Sequence, residues 1–191
     1  SSPPVGPVTD IASLQAKLRE HIAAKNLPQD AWAVGYGYDD SLLAEKRHPT
    51  RDDLDAISTS RPIAIMHVSG HLSVANSVAL ALAGITAESK DPPGGHIRRK
   101  PGSQEPDGVL EETAAYGVLG QMYRGGPASP VPGLLAALQT YASEGFTTVQ
   151  DGAANPADIA AVQNHIAATG QALPVDLVAF PTFGSLSKEA Q

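Results

Sequence analysis

The pattern of apolar and polar positions divides the chain into short apolar runs separated by helical stripes. Residues 1–8 (SSPPVGPV) are Pro-rich and read as an extended lead-in. Ile11, Leu14, Leu18 and Ile22 then recur at spacings of three and four behind a Thr9 N-cap, and Asn26 and Pro28 end that helix. Residues 32–37 (WAVGYG) are a short apolar run bounded by polar residues, which predicts a buried strand leading into Tyr38, Asp39 and Asp40. Thr50, with Asp53 at N3 and Leu54 and Ile57 on one face, predicts a second helix. Residues 62–68 (PIAIMHV) predict a second strand, and the apolar stretch 74–83 predicts a helix closed by Gly84.

Two turn-rich stretches, residues 91–95 (DPPGG) and 101–103 (PGS), make 85–108 a long loop or small hairpin insertion. Helices are expected over 110–124 and over 131–144, the second ended by Gly145. Residues 146–150 (FTTVQ), rich in β-branched side chains, predict a third strand. Asn155 and Pro156 are a cap and an N1 proline opening a helix to Thr169 before Gly170, and residues 174–180 (PVDLVAF) predict a fourth strand. Short buried strands alternating with helices indicate an α/β fold of parallel βα repeats, expected here as one domain over residues 1–191.

In parallel α/β folds, functional groups gather at the carboxyl ends of the strands. Asp39 and Asp40 follow the first strand, His67 and His71 end or follow the second, and Asp151 follows the third. The two histidines have the spacing of an HExxH zinc pair, but position 68 is Val and the preceding run reads as strand, so the rings need not converge. Substrate contact and plain structural hydrogen bonding both stay open for them. Asp39 and Asp40 are either a general base with an orienting carboxylate or a turn signal, and Asp151-Gly152 is either a site residue or a turn former. His21, His48, His96 and His165 stand alone on predicted helices or loops and read as surface or packing residues.

Composition narrows the function classes. A net charge of -7 gives no basic footprint for nucleic acid, and Arg98, Arg99 and Lys100, the one basic run, read as a solvated loop. No stretch has the roughly 20 apolar residues of a membrane span, and the start lacks a secretory signal, so the expectation is a soluble, cytoplasmic protein. With no Cys, a metal would need His and carboxylate ligands. Gly35-Tyr36-Gly37 and Gly94-Gly95 complete neither a dinucleotide fingerprint nor a P-loop, and no GxSxG elbow is present.

The ordered string of motifs carries more than any one residue. Residues 32–40 (WAVGYGYDD), 42–44 (LLA) and 47–55 (RHPTRDDLD) are followed by His67-Val68-Ser69-Gly70-His71, Ala75-Asn76-Ser77 and Ala79-Leu80. The series continues with residues 91–95, Gly108 to Glu112, and residues 145–152 (GFTTVQDG). In that order they resemble the N-substituted formamide deformylase-like group of metal-dependent amidohydrolases over most of residues 8–187. The resemblance implies a (β/α)8 barrel with an appended β-sandwich and metal-assisted hydrolysis of non-peptide C–N bonds, such as amides and formamides. It implies a divalent metal, zinc above others, held by a His-x-His pair at the first strand, a bridging lysine carboxylate or substitute, later histidines and a late aspartate.

This sequence has no His-x-His, so no catalytic or metal-ligating residue carries over. His71, Asn76, Asp39, His67 and Asp151 are the expected substrate-side residues. Four predicted strands leave open edges, and a complete barrel typically takes ~250 residues. The expectation is therefore an internal piece of about half a barrel, with no metal of its own and inactive alone. A small-molecule amide is the expected substrate of the parent, and association of like chains through open strand edges is expected. The alternative is a self-contained α/β module that binds a small ligand or protein through residues 85–108 without catalysis.

Overall fold

A computed structural model describes residues 8–122 and 129–182. The chain divides into two compact units, residues 1–124 and 125–191. Residues 1–7 of the Pro-rich lead-in and the last two residues of the helix expected over 110–124 lie outside the described residues.

In the first unit, helix α1 (Ile11–Lys25) is capped by Asp10 rather than Thr9, the Asp10 carboxylate accepting the Ser13 N–H while the Ser13 hydroxyl answers the cap. Asn26 ends the helix in the left-handed region (φ 46). Strand β1 (Ala33–Tyr38) runs parallel to β2 (Ile63–His67), and the short helix α2 (Arg51–Asp55) lies between them in sequence. Thr50 caps α2, and Asp53 closes the capping box by accepting the Thr50 N–H. The Arg61 guanidinium is buried and donates to the carbonyls of Leu27, Pro28 and Ala31, tying the chain after α1 to the start of β2.

The sheet then departs from parallel repeats. Strand β3 (Leu72–Ala75) returns antiparallel to β2, and helix α3 (Ser77–Leu82) follows it. The stretch expected to be one helix over 74–83 is thus a strand end, a cap and a helix. Asn76 makes the break: its Oδ1 accepts the Ala79 N–H as N-cap and also the Ile63 N–H. The insertion at 85–108 resolves as the hairpin β4 (Gly95–Arg99) and β5 (Pro106–Glu112), with β5 also antiparallel to β3. The start of the helix expected over 110–124 is therefore strand, and helix α4 (Ala115–Met122) begins only after it. Among the described residues the sheet has the order β1-β2-β3-β5-β4, a mixed α/β arrangement with one parallel pair.

Alternation along each strand covers both faces of this sheet. Ile63, Ile65, Val74 and Val109 pack with Leu14 and Leu18 of α1 and Leu54 of α2, while Ala64, Ala75 and Leu110 pack with Leu80 of α3 and Val118 of α4. At Gly108 (φ 102) β5 passes close to α2, since a Cβ there would lie 2.6 Å from the Arg51 nitrogen and 2.7 Å from the Ala75 oxygen. The basic run is not a solvated loop. Arg98 pairs with Glu111 across the hairpin, and Lys100 bonds Asp52 at the start of α2.

The second unit holds helix α5 (Val131–Ser143), strand β6 (Thr148–Ala154), helix α6 (Pro156–Thr169) and strand β7 (Asp176–Pro181). Strands β6 and β7 are parallel, as the sequence pattern expects, and α6 is the crossover between them. Asn155 caps α6 by accepting the Ala157 N–H, with Pro156 at N1 and Gly170 (φ 67) at its end. Leu138, Ala154, Val162 and Val175 are buried, whereas Val178 and Phe180 on β7 are 40% and 50% exposed.

Candidate functional site

The carboxyl ends of the parallel strands β1 and β2 gather the polar groups. The register between these strands shifts between Tyr36 and Tyr38, with Gly37 at φ 82, so the bulge turns Tyr38 onto the face that carries Ala33, Ile63 and Ile65. Tyr38 then pairs with His67, and their rings meet edge to face at 5.1 Å. The connection after β1 folds back and brings His48 against both: its ring is 6.0 Å from Tyr38 and 5.7 Å from His67.

Asp40 joins the strand ends. Its Oδ1 lies 3.0 Å from His67 Nε2 and 3.8 Å from His48 Nδ1. The backbone N–H of Ser69 donates to His67 Nδ1 at 3.1 Å, so that nitrogen is an acceptor and the ring proton belongs on Nε2, where it donates to Asp40. Both ring nitrogens of His67 are thereby used. Burial pushes the Tyr38 phenol well above its ordinary range, reinforced by Asp40. Burial holds the His48 imidazole below its ordinary value, with Arg98 and His67 acting the same way and Asp40 opposing them. The phenol stays protonated and donates to neutral His48 Nδ1 at 3.0 Å.

Asp39 sits beside this network in a turn of its own. Its Oδ1 accepts the Ser41 hydroxyl at 2.6 Å and the Ser41 N–H at 2.9 Å, and these bonds hold the carboxyl below its usual range. Asp39, Asp40 and His67 still bring ligand atoms within 4.8 Å of one another, a donor set of the kind that holds a divalent cation. The hydrogen bonding sets a condition on that role. A cation on His67 Nε2 would displace the bond to Asp40 and move the ring proton to Nδ1, where the Ser69 hydroxyl at 2.8 Å would accept it. As built, the carboxylates are open to a cation, whereas His67 must first give up its bond to Asp40.

The other expected site residues have hydrogen-bond partners of their own outside this network. His71 lies in the β2–β3 turn with its side chain 65% exposed and its Nδ1 3.0 Å from Glu112 Oε2. His67 and His71 therefore keep separate carboxylate partners. Asn76 is fully buried, its Oδ1 accepting from Ile63 and Ala79 and its Nδ2 donating to the carbonyls of Ser58 and Arg61, so its polar atoms are all spent on the fold. Asp151 lies within β6 of the second unit rather than after it, paired with Ala179 just before a register shift, and its carboxylate accepts the Ala153 N–H. His96 pairs with Asp91 at 2.6 Å. Sequence reasoning missed Tyr38 and His48. The signal for Tyr38 is Gly37, whose positive φ marks the bulge, whereas His48 arrives by a loop whose path no periodicity encodes.

Comparison with known proteins assigns the chain to a family. Residues 1–190 match the family model described as the amidohydrolase family. The chain is similar to the N-substituted formamide deformylase of Arthrobacter pascens, 35% identical over 115 residues that make up 60% of this chain and 20% of that protein. It is also similar to the exoenzymes regulatory protein AepA of Pectobacterium carotovorum subsp. carotovorum, 29% identical over 142 residues, 74% of this chain and 30% of the relative. The chain thus spans less than a third of the length of these relatives. In fold it is similar to a metal-dependent hydrolase of Pyrococcus horikoshii, with a TM-score of 0.56 and 18% identity over 92% of this chain and 32% of that one. With the family model matched over residues 1–190, the chain belongs to the amidohydrolase family.

Proposed function

We propose that this chain is an internal part of the catalytic domain of a longer metal-dependent hydrolase acting on non-peptide C–N bonds of the amide or formamide type. It contributes strands of a (β/α)8 barrel and one wall of the substrate site. The observation that supports incompleteness is the second unit's parallel pair. Parallel strands occur with both faces covered, yet Val178 and Phe180 of β7 stand exposed, as does Phe146 before β6. Further barrel strands are the natural cover. The edges of β1 and β4, which no strand among the described residues pairs, are open to the same completion, or to pairing with another copy of the chain.

In that reaction a divalent ion, zinc by preference, supplies carbonyl polarisation and water activation when bound. Of the residues here, Asp39 and Asp40 have the chemistry to approach it, while His67 would first have to release Asp40. His67 orients the Asp40 carboxylate, with its own ring fixed by Tyr38, His48 and Ser69. His71 faces the amide, and Asp39 completes the proposed substrate side of the first unit. Asn76 supports that side indirectly by holding the start of β2.

The test is hydrolysis of N-substituted formamides and simple N-acyl amines by the longer protein that contains this segment, supplied with zinc. Release of formate or carboxylate is expected, and Asp40→Ala is expected to lower kcat/KM by about tenfold or more, the loss of one oriented group. No turnover across both substrate series by the metal-loaded protein would contradict the reading.

A further inference from the structure

We propose that Glu112 is a positioning residue that fixes His71 with a free Nε2 lone pair, an acceptor for the N–H of a bound amide. The inference rests on the reading above that His71 faces the amide, and it adds the group that prepares the ring. Glu112 ends β5 with φ 51, a left-handed conformation disfavoured for any residue with a Cβ. Three contacts hold it there. Its N–H donates to the His71 carbonyl at 2.8 Å, and its carboxylate meets His71 Nδ1 at 3.0 Å. Behind it the chain is packed against β4: a Cβ on Gly95 would lie 2.5 Å from Thr113 Oγ1, and that hydroxyl donates to the Pro93 carbonyl. Disfavoured backbone that its surroundings enforce is characteristic of functional positions.

The hydrogen bond determines the tautomer. An ionised carboxylate can only accept, so the His71 proton belongs on Nδ1, and the neutral ring presents a lone pair at Nε2. Among the described residues that nitrogen has no partner. His67 is the reverse case, with its proton on Nε2 and both nitrogens engaged. Of the two histidines at this end of the sheet, His71 is the one that can accept a hydrogen bond from a ligand.

The test uses 15N-histidine spectra of the 191-residue chain at a pH where imidazole is neutral. A protonated-type shift at His71 Nδ1 and a bare-type shift at Nε2 are expected, with the opposite pattern for His67. Glu112→Gly keeps the backbone conformation and removes the carboxylate, so the His71 pattern should move toward the Nε2–H form, and acylation of His71 by diethyl pyrocarbonate should slow severalfold. Glu112→Gln, whose amide oxygen still accepts from Nδ1, should restore the tautomer and part of the rate. A wild-type His71 protonated on Nε2, or a Glu112→Gly chain with unchanged tautomer and rate, overturns the proposal. In the longer protein, Glu112→Gly should raise KM for N-monosubstituted formamides and spare N,N-disubstituted ones, which have no N–H. An equal loss on both overturns the acceptor role. Absence of any turnover in the unaltered longer protein counts against the hydrolase reading and leaves the tautomer result standing.

Discussion

His67 Nε2 and Asp40 Oδ1 meet at 3.0 Å across the ends of the parallel strands β1 and β2, and the bond fixes both side chains. His67 is largely buried and Asp40 is one-third exposed, so the interaction should be worth about 1 kcal/mol, as for a partly solvated hydrogen bond to a charged group. A double-mutant cycle of His67→Ala and Asp40→Ala, read by urea unfolding, should return a coupling of about that size. Strict additivity of the two substitutions would mean that the bond contributes nothing.

His48 gives the fold a pH dependence of defined sign. Burial holds its folded pKa below the ordinary 6.5, so the unfolded chain binds the proton more readily. The His48 contribution is fully present above 6.5 and is lost as the pH falls from there toward the folded value. His48→Gln should flatten the stability profile in that window relative to the parent chain. An unchanged slope between the two proteins would show that the ring titrates as it does when unfolded.

Asn76 joins the start of β2 to the start of α3 by four hydrogen bonds. Asn76→Ala leaves the buried Ile63 N–H without its side-chain partner and uncaps α3. The expected loss is about 3 kcal/mol, summing a lost cap and a buried unsatisfied group. Denaturant unfolding checks this, and a loss under ~1 kcal/mol would show that water replaces the amide.

Gly108 and Gly102 both have positive φ, but only Gly108 is hemmed in. Gly102→Ala should cost about 1 kcal/mol, the backbone penalty alone. Gly108→Ala adds overlap with the Arg51 nitrogen and the Ala75 oxygen and should cost about 3 kcal/mol or more. Equal thermal midpoints for the two variants would contradict the close approach of β5 to α2.

The strands at residues 32–37, 62–68, 146–150 and 174–180 were legible because each is a short apolar run with polar or turn residues at both ends, and the observed strands overlap them. Strand β3 was not, because Leu72, Val74 and Ala75 run into the apolar helix α3 and only Asn76 divides them. Asn76 stood out as a candidate ligand contact, and its chemistry is that of a cap. Strand β5 was hidden in the same way, since Val109 and Leu110 fit a helical stripe as well as an alternating one, and antiparallel pairing to β3 and β4 decided the matter. At the site, proximity to strand ends was enough to bring out Asp39, Asp40 and His67. His48 required the tertiary path of the loop after β1, and the Glu112 partner of His71 required the register between β3 and β5.

The most direct measurement is turnover by the 191-residue chain itself. Purified and supplied with zinc, it is incubated with an N-substituted formamide, and formate is assayed over time. No formate above the protein-free control is the expected result, because His-x-His is absent and His67 is committed to Asp40 and Ser69. Zinc-dependent release of formate that Asp40→Ala abolishes would contradict it, and would place a working metal site within these residues.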